Sequence, residues 1–375
     1  MSARIHRSLF ALLCPLAVVA FAGSASADDG NHNYDNDNDN DGHNENDAIT
    51  IYTQTNAVGA NQVLAFENVD GVLTSLGSYP TGGAGSGRGL GSQGAVVTDD
   101  EHLLAVNAGS NELSLFSIED DGSLTLGDTE SSGGVNPVSV TVHGNVAYVA
   151  NAGDRTVNGF RIKDDRLEPI VGSHRALPGN GAAQISFDRS GRRLVVTEKA
   201  TNTIDVLPVS RRGVAGAAVA NPSTGQTPFG FAIDRRNHLI VSNAAGGGAG
   251  ASSASSYRFD GPAGLIPTSS AVANTQSAAC WIALSGNQKY AYTTNTASGS
   301  ISSYGVARDG SLTLVQAVAA TPGAGPIDMV EANGSLFTLN NAAHTISAHA
   351  IGSDGSLTST NQISVPIGVV GLAAG

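Results

Sequence analysis

The chain has 375 residues, with 47 glycines, 14% charged residues and a formal charge of −13. Its apolar residues come in short runs beside Thr, Ser and Val, which excludes a bundle of long helices and suits many short strands joined by tight turns. The length allows one large domain or two medium ones, and an acidic chain without a basic stripe is a poor partner for nucleic acid or anionic lipid.

In chain order, residues 1–27 stand apart. Arg4, His6 and Arg7 give a basic start, Leu9 to Ala22 an apolar run, and Ala25-Ser26-Ala27 a small-residue cleavage site. This pattern predicts an export signal removed after Ala27. The apolar run is short for a membrane span of about 20 residues. The expected product is a periplasmic or secreted protein with no membrane insertion. It would keep a single cysteine, Cys280, and so no internal disulfide.

Residues 28–47 hold eight acidic residues, no Lys or Arg, and only Tyr34 as a large apolar group. Such a stretch buries too little surface to offset its ordering entropy, which predicts a disordered linker. Weak Ca²⁺ binding is the alternative, because Asp and Asn offer oxygen ligands, although the closing Glu of an EF-hand loop is missing. No other cofactor is expected. Without the signal the charge is −15, and the domain beyond the linker carries −7.

From residue 48 onward the chain repeats. The string DGSLT occurs at Asp121, Asp309 and Asp354, each time after an alternating strand. Asp-Gly between such strands predicts a two-residue hairpin with positive φ at both positions. The later copies start 45 residues apart and the first two 188 apart, about four times 47, which is the period of a four-stranded propeller blade. A related string, DGVLT, begins at Asp70. A second repeat is an apolar strand ending in Asn or Glu, at Asn107, Asn151, Glu198, Asn243, Asn295 and Asn340. Upstream of each lies another apolar strand, from GAVVT, VSVTV, QISFD, GFAID and WIALS to DMVEA. Together they give strands A to D of a blade.

Six inner strands of this kind are followed by a seventh, Ile367 to Ala374, with nothing after it. The domain instead opens on a B-like strand, Ala48 to Gln54. The expected fold is therefore all-β: one seven-bladed β-propeller over residues 48–375, closed by pairing of the N- and C-terminal strands in one blade. A β-sandwich or an open solenoid gives no reason for the strands missing at the two ends.

The strings GLGSQGAVVTDDEHLLAVNAGSNELSLF, VTEKATNTIDVLPV, TPFGFAID, AACWIALS, YAYTTNTASGSISSY and PIDM resemble the seven-bladed propeller lactonases, a family that includes 6-phosphogluconolactonases and carboxymuconate cyclases. The resemblance covers nearly all of residues 49–375 and points to the secreted bacterial branch. It implies a site at the channel mouth, where loops from D to the next A and from B to C share one face. Gln93, Ser139, Gln184, Trp281 and Asp328 are expected in the D–A turns there, and Glu198 and Lys199 at a B–C start. Family members with lactone chemistry use His, Glu and Arg at such places. Here Ser139 and Gln184 match the histidine positions, and Lys199 falls where the acid is usual, one place after Glu198. His102, His143 and His238 fall at A–B turns on the opposite face. His344 and His349 are read as opposite-facing residues of one strand, so they do not form a metal pair. No metal site is expected.

Lactone hydrolysis needs a base for water and a donor for the developing oxyanion. Glu198 is the candidate base, with Lys199 and Gln184 as candidate donors; the alternative is that Glu198 and Lys199 replace a structural Asn at a loop start. Gln93, Ser139, Trp281 and Asp328 are candidate substrate contacts, with packing between blades the alternative for Trp281. The functional expectation is an exported lactonase-like protein acting on a small lactone or a related sugar or aromatic acid derivative. A non-catalytic propeller binding a small molecule or protein partner at the mouth is the alternative. The expected state is a monomer.

Overall fold

A computed structural model describes residues 49–69, 72–99 and 101–375. The export signal expected over 1–27, the linker expected over 28–47 and the Asp70-Gly71 pair lie outside the described residues. What is described is a ring of seven antiparallel sheets. Blade 1 takes its inner strand A from Val370–Ala374 and its strands B, C and D from Ile49–Gln54, Gln62–Val69 and Val72–Pro80. Blades 2 to 7 follow in order, with inner strands Val96–Thr98, Pro137–His143, Ala182–Phe187, Pro228–Ile233, Ala279–Leu284 and Pro326–Ala332. Their B strands are His102–Asn107, Val146–Asn151, Arg193–Glu198, His238–Asn243, Tyr290–Asn295 and Ser335–Asn340.

Closure is as the missing strands require. Ile51 pairs with Ala374, Tyr52 with Ala373 and Gln54 with Val370. Thr50 and Gly375 exchange two backbone hydrogen bonds of 3.0 Å. The closing strand is shorter than its apolar string: it begins at Val370, after Gly368 at φ +88°, and Ile367 is left exposed.

Each blade is covered on both faces by its neighbours, so the B strands read as nearly unbroken buried runs rather than alternating ones. Ile49–Gln54, for example, is buried at all six positions. The core accordingly divides into seven apolar clusters, one at each blade–blade interface.

The DGSLT turns are not two-residue hairpins. In each, a type I turn is closed by the glycine amide: Gly122 to Glu119 O, Gly310 to Ala307 O and Gly355 to Gly352 O. Only the glycine has positive φ, at +75°, +82° and +80°. The aspartate carboxylate instead accepts the amide of the serine two residues on, at 2.9–3.0 Å. With that contact the connection is a three-residue turn with a glycine bulge. Two of these turns clasp the preceding blade: the Tyr52 hydroxyl donates to Gly122 O at 2.9 Å and the Tyr292 hydroxyl to Gly355 O at 3.1 Å.

Candidate functional site at the channel mouth

Inner strands of blades 3 to 7 start one or two residues earlier than their apolar strings suggest. Ser139, Gln184, Phe229, Trp281 and Asp328 therefore lie within strands and not in the D–A turns. The cause is a bulge: the first residue of the strand pairs with the last residue of strand B, and the register then slips, between Pro137 and Ser139, Ala182 and Gln184, and Pro326 and Asp328. A bulge re-aims the side chains beside it. Here some of them stitch one inner strand to the next. Ser139 Oγ accepts the Ile185 amide at 3.0 Å and donates to Gln93 O at 2.7 Å, and Gln184 Oε1 accepts the Phe231 amide at 2.6 Å.

The glycine-rich D–A connection 81–95 crosses this end of the ring as a strap. Its Gln93 amide reaches from the blade 2 side to blade 6, where Nε2 donates to Ile282 O (2.8 Å) and Oε1 accepts Ile282 N–H (3.1 Å). Trp281 Nε1 donates to Ser92 O at 2.8 Å, and Lys199 Nζ donates to Gly91 O. Lys199 also lies 4.9 Å from the centroid of the Phe229 ring, which packs at 4.8 Å from Trp281. Burial lowers the Lys199 pKa from its ordinary value. Gly230 makes room: a Cβ there would come within 2.0 Å of Gln93 Oε1. Gln93, Ser139, Gln184, Lys199 and Trp281 are thus brought together, but by holding the strap.

Glu198 is elsewhere, inside blade 4 and fully buried. It occupies the last position of strand B, where five other blades have Asn and blade 1 has Gln54. In those five blades the Asn amide donates to a strand C or neighbouring hydroxyl, as Asn107 to Ser114 at 2.7 Å, Asn295 to Ser302 at 2.8 Å and Asn340 to Ser347 at 2.8 Å. In blade 4 the hydroxyl position is Asp205, equally buried. All four carboxylate oxygens lack a hydrogen-bond partner among the described residues. Burial, then the Asp205 charge, pushes Glu198 up to about 7; burial pushes Asp205 up to about 6. Asp205 was missed in the sequence, although NTID at 202–205 aligns with NELS at 111–114 and HTIS at 344–347. Asp328 is also buried; its Oδ1 accepts the Met329 amide at 2.9 Å and burial raises its pKa.

The open part of this face is a cavity of ≈ 600 Å³ at the outer side of the strap, lined by Val58, residues 84–86 and 88–90, Gly109 and Asn136. Arg88 is exposed, and its guanidinium has no ion-pair partner among the described residues. The amides of Gly89, Leu90 and Gly91 donate to no described group. Consecutive free amides beside a cation can cradle a carboxylate or other anion. The histidines stay out of it: His102, His143 and His238 end strands on the opposite face, and His344 sits in a B–C loop at φ +56° rather than on the strand with His349. No group of three or more metal-ligating side chains occurs among the described residues.

Seven four-stranded blades closed by the pairing of the first and last strands define a seven-bladed β-propeller. The family profile described as "Lactonase, 7-bladed beta-propeller" matches residues 50–175. The 6-phosphogluconolactonases of Yersinia enterocolitica and Yersinia pestis are each 26% identical over 144 residues, which is 36% of this chain and 43% of theirs. The matched part thus spans less than half of those relatives. A Bacteroides fragilis structure assigned provisionally as a 6-phosphogluconolactonase superposes with TM-score 0.70 at 16% identity, covering 89% of this chain and 100% of its own. A Lactobacillus plantarum protein superposes with TM-score 0.70 at 16% identity, covering 87% of this chain and 99% of its own. Residues 50–175 thus resemble the lactonase family, and the whole ring shares the seven-bladed fold of these structures.

Proposed function

We propose that the protein binds a small carboxylated or lactone-ring compound in the Arg88 cavity on the strap face. The carrying observation is that Arg88, an exposed cation with no ion-pair partner among the described residues, lies beside three amides that donate to no described group, while Gln93, Ser139, Gln184, Lys199 and Trp281 are engaged in holding the strap. The guanidinium would take the ligand's anionic or carbonyl oxygen by charge-assisted hydrogen bonds. A second reading is lactone hydrolysis with Glu198 as base. It is favoured by the kinship with 6-phosphogluconolactonases and by a Glu198 pKa raised to about 7, where a general base works best. That reading requires the strap-side loops to open, since Glu198 has no exposed surface. Export to the periplasm or beyond remains part of the proposal, on the strength of residues 1–27.

One experiment separates the two. Aldonolactones, aromatic lactones and the matching acids are titrated into the full chain, and lactone hydrolysis is followed in parallel. Binding should weaken about tenfold in Arg88→Ala, the loss of one charge-assisted contact, and turnover should not exceed buffer. Hydrolysis that falls by about 10²-fold or more in Glu198→Gln would instead establish the second reading.

A further inference from the structure

The opposite face of the ring carries a feature that neither reading uses. Eight of the 19 Lys and Arg residues fall between positions 189 and 236, and seven of these, all arginines, belong to turns or strand ends of blades 4 and 5 on the A–B side. In sequence they are three separate short groups, so no basic stripe is visible. The fold brings the A–B turn of blade 4, with Arg192, beside its C–D turn, with Arg211, over the end of the blade 3 inner strand at His143.

These three residues line a cleft of ≈ 490 Å³ between blades 3 and 4. Its apolar wall is Phe187, Val146 and Val209, and no acidic side chain lines it. A cleft of this size takes a small molecule. The acid nearest in sequence, Asp188, is already consumed: it pairs with Arg193 at 2.9 Å and accepts from Ser190, from the amides of Arg192 and Arg193, and from Asn237. Asp188 therefore shapes the turn without neutralising Arg192. Neither Arg192 nor Arg211 has an ion pair or a side-chain hydrogen bond among the described residues, and both are exposed. The Ser210 hydroxyl accepts the Val214 amide at 3.1 Å, which leaves its own proton free to donate. Gly191 lets the imidazole in, since a Cβ there would lie 2.2 Å from His143 Cδ2.

We propose that this cleft binds the phosphate or sulfate ester of a small organic molecule, with the ester oxyanion between Arg192 and Arg211 and the apolar part against Phe187. Two planar guanidiniums suit an oxyanion with several acceptor oxygens, and the strongest such contacts are bidentate. An isolated cationic cluster on an otherwise acidic protein would also raise the local concentration of an anionic ligand.

The test is calorimetric titration of the full chain with phenyl phosphate, phenyl sulfate and inorganic phosphate at fixed ionic strength. At least one aryl ester should bind with one-site saturation and more tightly than inorganic phosphate. Arg192→Ala and Arg211→Ala should each weaken it about tenfold, the worth of one charged hydrogen bond. Arg236→Ala, on the same face but outside the cleft, should leave it unchanged, and Arg192→Lys should keep part of the affinity. Loss common to all three alanine variants, binding indifferent to Arg192 and Arg211, or no saturable binding of either aryl ester overturns the proposal. So does binding of heparin or DNA alone.

Discussion

Glu198 and Asp205 show how much a change of one atom type matters inside a repeat. An Asn amide can donate to the neighbouring hydroxyl; a carboxylate cannot, unless it is protonated. A proton on Glu198 restores that donor and removes the repulsion between two buried acids. The sign follows from the raised pKa values. Both groups have folded values above their unfolded ones, so their contribution is fully present below about pH 4 and is lost as pH rises through about 6 and then about 7. Glu198→Gln supplies a permanent donor. Its melting temperature should exceed the wild-type value at pH 8 by about 2–4 °C, an effect on the order of 1 kcal/mol or more, and the gain should shrink toward pH 5. A pH-independent difference in differential scanning calorimetry would show that the pair does not titrate in this range. Glu198 itself was legible as the odd member of an Asn series. Asp205 was not, because its role depends on a cross-strand pairing that one strand's sequence does not display.

At the scale of elements, the strap and the bulged inner strands decide what the mouth can do. Gln93 bridges residues 189 positions apart, and Gly230 is small because Gln93 passes over it. Gly230→Ala should push Gln93 off Ile282, and amide exchange over residues 89–94 should accelerate while the outer strands stay protected. Unchanged exchange in that segment would mean the strap is held without Gln93. Strand identity was readable from apolar runs and from residues such as Asn107 and Asn295 that end them. The starts of the inner strands were not, because a bulge places polar residues like Ser139 and Gln184 inside a strand while they look like turn residues. The DGSLT turns were located correctly by their glycines, but their type depends on the aspartate staying at negative φ while its carboxylate takes the amide two residues on.

For the whole molecule, the count of seven and the incomplete ends were enough to fix the ring, since a propeller with an open blade would expose two sheet edges. The same logic predicts the effect of removing the closing strand. Deleting residues 366–375 strips blade 1 of its inner strand and unpairs Ile51, Tyr52 and Gln54. The truncated chain should melt well below the full chain and gain exposed apolar surface that binds a hydrophobic dye. An unchanged melting curve would mean that closure contributes nothing. The face to be used for binding was less readable, because the Arg192 and Arg211 cleft is assembled from turns that are far apart in a list of residues and adjacent only in the ring.

The joint between Thr50 and Gly375 also sets how the ring responds to mechanical load. The inner strand ends, and the second strand begins, on the same side of blade 1, so the two described ends leave the ring side by side. Force drawn between them does not shear the whole ladder at once. It opens the rungs in succession, Thr50 with Gly375, then Ile51 with Ala374, then Tyr52 with Ala373, as a zipper opens. A ring held by seven mutually covered interfaces would thus have one seam that parts under tension at a comparatively low force.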